Sequence, residues 1–185
     1  MTLIELLTSM TILAFVLTAL IGVFVSGLHA EVDMNNRFQA QQNARLALTS
    51  MRQDIRTACS RQLLDVSGNP VSSPSPTTFE PEVQLGYSCT TAAPTGSSQV
   101  TWCVQPISAN DYGLYRQSGA TCSSTGGIKR ADQLTSNAVF ALPPSQPGQR
   151  PELQVAFSVD ASLSTAGGTY DLGDTVMLRN AAPAS

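Results

Sequence analysis

Between Leu6 and Leu28 the chain carries 23 consecutive residues without a formal charge, and Glu5 stands at their edge. No other feature limits the fold as strongly. As an α-helix this stretch spans about 34 Å, enough to cross a hydrocarbon core of roughly 30 Å. A cleaved secretory signal would need a basic leading segment and a small-x-small cleavage site. No Lys or Arg precedes Arg37, and the stretch ends Gly27-Leu28-His29-Ala30, so that reading is set aside. An ordinary membrane anchor fits no better. It lacks flanking positive charge to set its orientation, and a carboxylate in hydrocarbon costs about 2.5–3.5 kcal/mol even on insertion scales. Glu5 therefore needs either a partner or a route to the membrane surface.

The helical pattern continues past Leu28. No Pro interrupts residues 29–64, and Ala44, Leu48, Met51, Ile55 and Ala58 recur at alternating steps of four and three, one face of an amphipathic helix. Helix formers fill the remaining positions, and Asp65-Val-Ser-Gly-Asn-Pro supplies a stop. The expected result is one helix of about 60 residues, near 90 Å long. Its first half lies bare and its second half rests against the rest of the chain. A coiled-coil dimer is the competing use of the 44–58 stripe. Three segments follow: a hydrophobic helix over 1–28, its amphipathic continuation over 29–64, and a head over 65–185.

From Val66 onward hydroxyl, amide, Gly and Pro residues dominate, as on extracellular proteins, and charged residues make up only 12% of the whole chain. Strands are expected at Val83–Cys89, Gln99–Gln105, Gly113–Gln117, Asn137–Leu142, Leu153–Val159 and Thr175–Arg179, with a hairpin turn at Ser108-Ala-Asn-Asp. Periodicity thus supports a β-rich head. Cys59, Cys89, Cys103 and Cys122 form an even set with no C-x-x-C pair and no companion histidine, which favours disulfides over zinc. Three connectivities can be drawn; Cys59–Cys89 and Cys103–Cys122 are favoured.

Other chemistry is sparse. His29 is the sole histidine and lies at the apolar boundary, so no Ser-His-Asp or Cys-His arrangement can be built in the head. No catalytic residue, metal site or cofactor is expected. Asp160, Asp171 and Asp174 are a weak calcium candidate, better read as solvated loop residues. A net charge of −3, with nine Arg and one Lys scattered along the chain, gives no direct evidence for nucleic acid. Ser72, Ser73, Ser75, Thr77 and Thr78 are candidate O-glycan acceptors, with a plain linker as the alternative.

The residues Thr2-Leu3-Ile4-Glu5-Leu6-Leu7, followed by an apolar helix, resemble the mature N-terminus of type IV pilins and pseudopilins. In that family a prepilin peptidase removes a short basic leader, and the new first residue, usually Phe, is N-methylated. Met1 departs from Phe, and the numbering is expected to be that of the mature chain. The resemblance implies an α+β pilin fold, a long helix with its second half packed on a small antiparallel sheet. It also implies an assembly site of Met1, Thr2 and Glu5, in which the carboxylate pairs with an N-terminal amine of its own or a neighbouring subunit. Many pilins carry Pro where this chain has Gly22, and the helix there unwinds in the assembled filament. Gly22 permits such a melt; close helix–helix approach is the alternative.

The run from Arg45 to Ala58, with Val100-Thr-Trp-Cys-Val, Gly113-Leu-Tyr-Arg and Val176-Met-Leu-Arg-Asn, is similar to PilW-like minor pilins and J-type pseudopilins. The expected function is a non-enzymatic structural subunit of a type IV-like pilus, a helical homopolymer. It would be stored in the cytoplasmic membrane and extracellular after assembly. An assembly ATPase and a platform protein are partners implied by the family. Two alternatives stay open: a minor pilin or pseudopilin that initiates a secretion or competence filament, and a membrane-tethered adhesive or binding domain.

Overall fold

The computed structural model describes residues 2–71, 75, 77–89, 98–120, 122, 126–144, 147–160 and 169–183. One helix, α1 (Leu3–Thr57), runs 55 residues and is followed by an antiparallel sheet. At 1.5 Å per residue α1 is about 82 Å long. Its two halves differ in what they touch. From Leu3 to Phe38 the large apolar side chains face outward, with Leu3 81% and Phe15 80% exposed. From Ala40 onward one face is covered, and Ala44, Met51, Ile55 and Ala58 are fully buried against the sheet with Leu48. The covered face begins with Ala40, Ala44 and Ala47, whose small side chains let strands approach the helix axis closely.

The helix ends earlier than the sequence pattern suggests. Thr57 is its last residue, Ala58 turns to an extended conformation, and Ser60–Leu64 forms strand β1 instead of the final helical turns. Pairing decides this. The Cys59 N–H donates to the Gly86 carbonyl at 2.8 Å, and all five β1 residues pair with β2 (Glu82–Gly86). The Asn180 side-chain amide donates to the Thr57 carbonyl at 2.9 Å, satisfying one open end of the helix. Asp65-Val-Ser-Gly-Asn-Pro is a turn as expected, with Asp65 Oδ1 accepting from the Ser67 and Asn69 amides, but it follows a strand.

The sheet continues through β3 (Gln99–Ser108), β4 (Asp111–Ser118), β5 (Ile128–Leu134), β6 (Phe140–Ala141), β7 (Glu152–Asp160) and β8 (Thr169–Met177). Its order is β1-β2-β3-β4-β5-β7-β6, with β8 along the other edge of β7. The β3–β4 hairpin closes at Ser108 opposite Asp111, where the turn was expected. Three departures have physical causes. β5 carries no period-2 signal because two register irregularities against β4 break its alternation, and Gln133 sits at φ +60°. β6 keeps only two residues of the expected Asn137–Leu142, since the Val139 and Phe140 amides turn to the Glu80 carbonyl. β8 begins six residues before the expected Thr175, its Asp- and Gly-containing stretch held by unbroken pairing with β7.

Three polar links fix helix to sheet. Asp54 accepts from Trp102 Nε1 at 2.9 Å and from Arg116 Nε at 2.7 Å. Arg52 pairs with Asp174 at 2.5 Å, and Arg45 donates to the Tyr170 hydroxyl at 2.7 Å. Burial and the Asp54 charge push the Tyr87 hydroxyl up to about 12.

Ser60, Glu82, Gln84, Gln99 and Thr101 are the buried polar residues described, and the register places all five on the sheet face opposite α1. A loop covers them. The Thr101 hydroxyl donates to the Gly119 carbonyl at 2.6 Å, and the Gln84 amide donates to Ala120. Cys103 and Cys122 lie at disulfide distance, Cα atoms 6.2 Å apart, and hold that loop down. Cys59 and Cys89 form the other such pair, at 5.0 Å, just beyond the helix end. Each bridge stabilises by about 3 kcal/mol through the unfolded chain. Thiol titration of denatured, unreduced protein should find no free cysteine; four reactive thiols would contradict both pairings.

Burial, with the Asp65 charge nearby, pushes the Glu82 carboxyl from 4.5 up to about 7. A raised carboxylate favours the protonated form on folding. Its contribution is fully present below pH 4.5 and is lost as pH rises through 7. The wild-type head should therefore lose about 1–2 kcal/mol of stability between these values, allowing for partial hydration of the carboxyl. In Glu82→Gln that loss should vanish. Denaturant midpoints at pH 5 and pH 8 check this; equal pH dependence in both proteins would contradict it.

Candidate functional site

The bare half of α1 is the candidate site, because an apolar face of this size cannot stay in water. Its most apolar window is 0% buried and is long and apolar enough to cross a membrane. Thr8, Ser9, Thr11 and Thr18 donate their hydroxyls to backbone carbonyls three or four residues earlier, at 2.8–3.1 Å. Their polar atoms are thus satisfied within the helix, which suits an apolar environment. The face left over is aliphatic and aromatic.

At the helix start, Glu5 closes a local structure. The Thr2 N–H donates to Glu5 Oε2 at 2.9 Å, and the Thr2 hydroxyl donates to the same oxygen at 3.2 Å. The Glu5 N–H in turn donates to the Thr2 carbonyl at 3.1 Å. This is the reciprocal half of a capping box, and a carboxylate in the first turn also favours the positive end of the helix dipole. The signal Thr-x-x-Glu was present in the sequence and gives Glu5 a role within its own chain. The structure therefore brings Thr2 and Glu5 together; Met1, the third residue of the expected assembly site, lies outside the described residues.

Gly22 is helical and sits in an unbroken α1, and a methyl group added there would meet nothing within 4 Å. Nothing inside the protomer requires glycine at this position. Of the candidate glycan acceptors, Ser72 and Ser73 lie outside the described residues. Ser75 and Thr77 share a hydrogen bond between their hydroxyls at 3.0 Å, and Thr77 and Thr78 are exposed. The three aspartates weighed for calcium do not converge. Asp174 pairs with Arg52, Asp171 accepts from the Ser158 hydroxyl, and no group of three metal-ligating side chains exists among the described residues.

No family model, curated protein or solved structure matches this chain significantly.

Proposed function

We propose that this chain is a structural subunit of a type IV-like pilus, a pilin that polymerises through its N-terminal helix. One observation carries the reading: a single continuous helix exposes its large apolar side chains from Leu3 to Phe38, is uncharged over Leu6–Leu28, and is buried against its own sheet from Ala40. Such a helix needs lipid before assembly and other copies of itself afterwards. Burying some twenty apolar side chains at roughly 1.5–3 kcal/mol each supplies ample driving force. The head, anchored by Asp54–Arg116 and stapled by two cysteine pairs, stays folded while the helix changes surroundings.

In this reading Glu5 has two duties. Within the subunit it caps α1 through Thr2. In the fibre its charge neutralises the amine of a neighbouring subunit's processed N-terminus. A helix docked one turn out of register would leave both charges buried and unmatched. The chain is non-enzymatic, passing from storage in the cytoplasmic membrane to an extracellular fibre with the help of a prepilin peptidase, an assembly ATPase and a platform protein. Deleting residues 1–28 tests the division of labour. The remaining chain is expected to be a soluble monomer by sedimentation; stable oligomers of it would place assembly in the head.

A further inference from the structure

We propose that the outer face of β7 and β8 carries a binding site for a neutral sugar. A groove of about 330 Å³ lies there, lined among others by Phe79, Ser136, Ala138, Ala156, Ser158 and Asp171. Small-molecule sites begin near 300 Å³, so the groove has room for a single ring. It is built by pairing of separate chain segments. The Phe140 amide donates to the Glu80 carbonyl at 3.0 Å, the Ala156 amide to Val139 at 2.9 Å and the Thr135 amide to Ser158 at 3.0 Å. Ser158 stands opposite Asp171 in the β7–β8 register.

The lining is mostly apolar, with Ser136, Ser158 and Asp171 as its polar groups. The Ser158 hydroxyl donates to Asp171 Oδ1, which fixes the carboxylate and leaves Oδ2 as an acceptor for a ring hydroxyl. The Ser136 hydroxyl adds a donor and acceptor, and half-buried Phe79 offers an apolar surface for the C–H face of a sugar. Among the described residues no Lys, Arg or His lines the groove, so an anionic ligand would meet only a carboxylate.

The site belongs to the head and goes beyond the fibre reading; sugar binding is measured on unassembled protein, so failure of either leaves the other standing.

Saturation-transfer NMR tests it, on full-length protein in phosphocholine micelles, which carry no glycosidic headgroup to compete. Glucose, galactose and N-acetylglucosamine are the probes. At least one should bind with a Kd on the order of 1 mM. Binding should weaken tenfold or more in Phe79→Ala and Asp171→Ala. Glucose 6-phosphate should not compete. No transfer to any of the three sugars, undiminished transfer in both variants, or equal competition by the phosphate would overturn the proposal.

Discussion

Glu5→Ala is expected to leave membrane insertion and the fold of the head intact while reducing fibre yield at least tenfold. In the proposed fibre the variant would strand an incoming amine in an apolar core, and breaking a buried charge pair costs about 3–5 kcal/mol. It also removes the acceptor of the Thr2 amide at the helix start. Glu5→Gln separates these two effects. A glutamine oxygen can still accept from the Thr2 amide and hydroxyl, and Gln serves in capping boxes as Glu does. It cannot neutralise a charge. Fibre yield from Glu5→Gln should therefore stay as low as from Glu5→Ala, whereas recovery to wild-type yield would mean that the carboxylate serves only as a cap. Quantitative electron microscopy of sheared fibres, normalised to membrane-inserted subunit, reads the difference.

Asp54→Ala is expected to destabilise the head by about 3–5 kcal/mol, the largest loss foreseen for one side chain outside the apolar core. Asp54 is 14% and Arg116 25% exposed, so the pair is well removed from water. Both Arg116 Nε and Nη2 reach the carboxylate, at 2.7 and 3.2 Å, and Trp102 Nε1 reaches it at 2.9 Å. Truncation leaves a partly buried guanidinium and a fully buried indole N–H without their acceptor. Asp54→Asn should cost less, since an amide oxygen can still serve Trp102. Denaturant unfolding in micelles compares the three proteins. Equal stability of Asp54→Ala and wild type would contradict the role assigned to this anchor.

Much of the helix was legible in the sequence because its signal is local. The Ala44–Ala58 stripe repeats at helical spacing, and all five positions are buried against the sheet. The helix end was not legible. Arg61-Gln62-Leu63-Leu64 favours helix by propensity, and only pairing with Glu82–Gly86, some twenty residues away, makes it a strand. β5 was hidden for a different reason. Its bulges place the buried Ala131 and Leu134 three apart, so alternation fails where the strand is real. The polar outer face could not be foreseen either, since Gln84 and Thr101 find their partners in the Gly119 and Ala120 carbonyls, distant from Gln84 in the chain.

The candidate site was legible in outline. Length and apolarity marked the bare helix, and Glu5 stood out as the one carboxylate before Glu31. The short signal Thr2-x-x-Glu5 points to a cap, a use that the more demanding partner suggested by a buried charge does not exclude. Both uses fit one residue, because a first-turn carboxylate can cap its own helix and still present charge to a second chain.

Fibre formation by the purified full-length protein tests the central claim most directly. On detergent removal the protein is expected to form homopolymeric fibres with the Leu3–Phe38 helices gathered in parallel along the axis and the heads outside. Cryo-electron microscopy would show that core, including whether α1 stays helical between Thr18 and Ser26. Fibres held together by head–head contacts with the helices outside the core, or particles that remain monomeric once detergent is replaced by lipid and never polymerise, would contradict it.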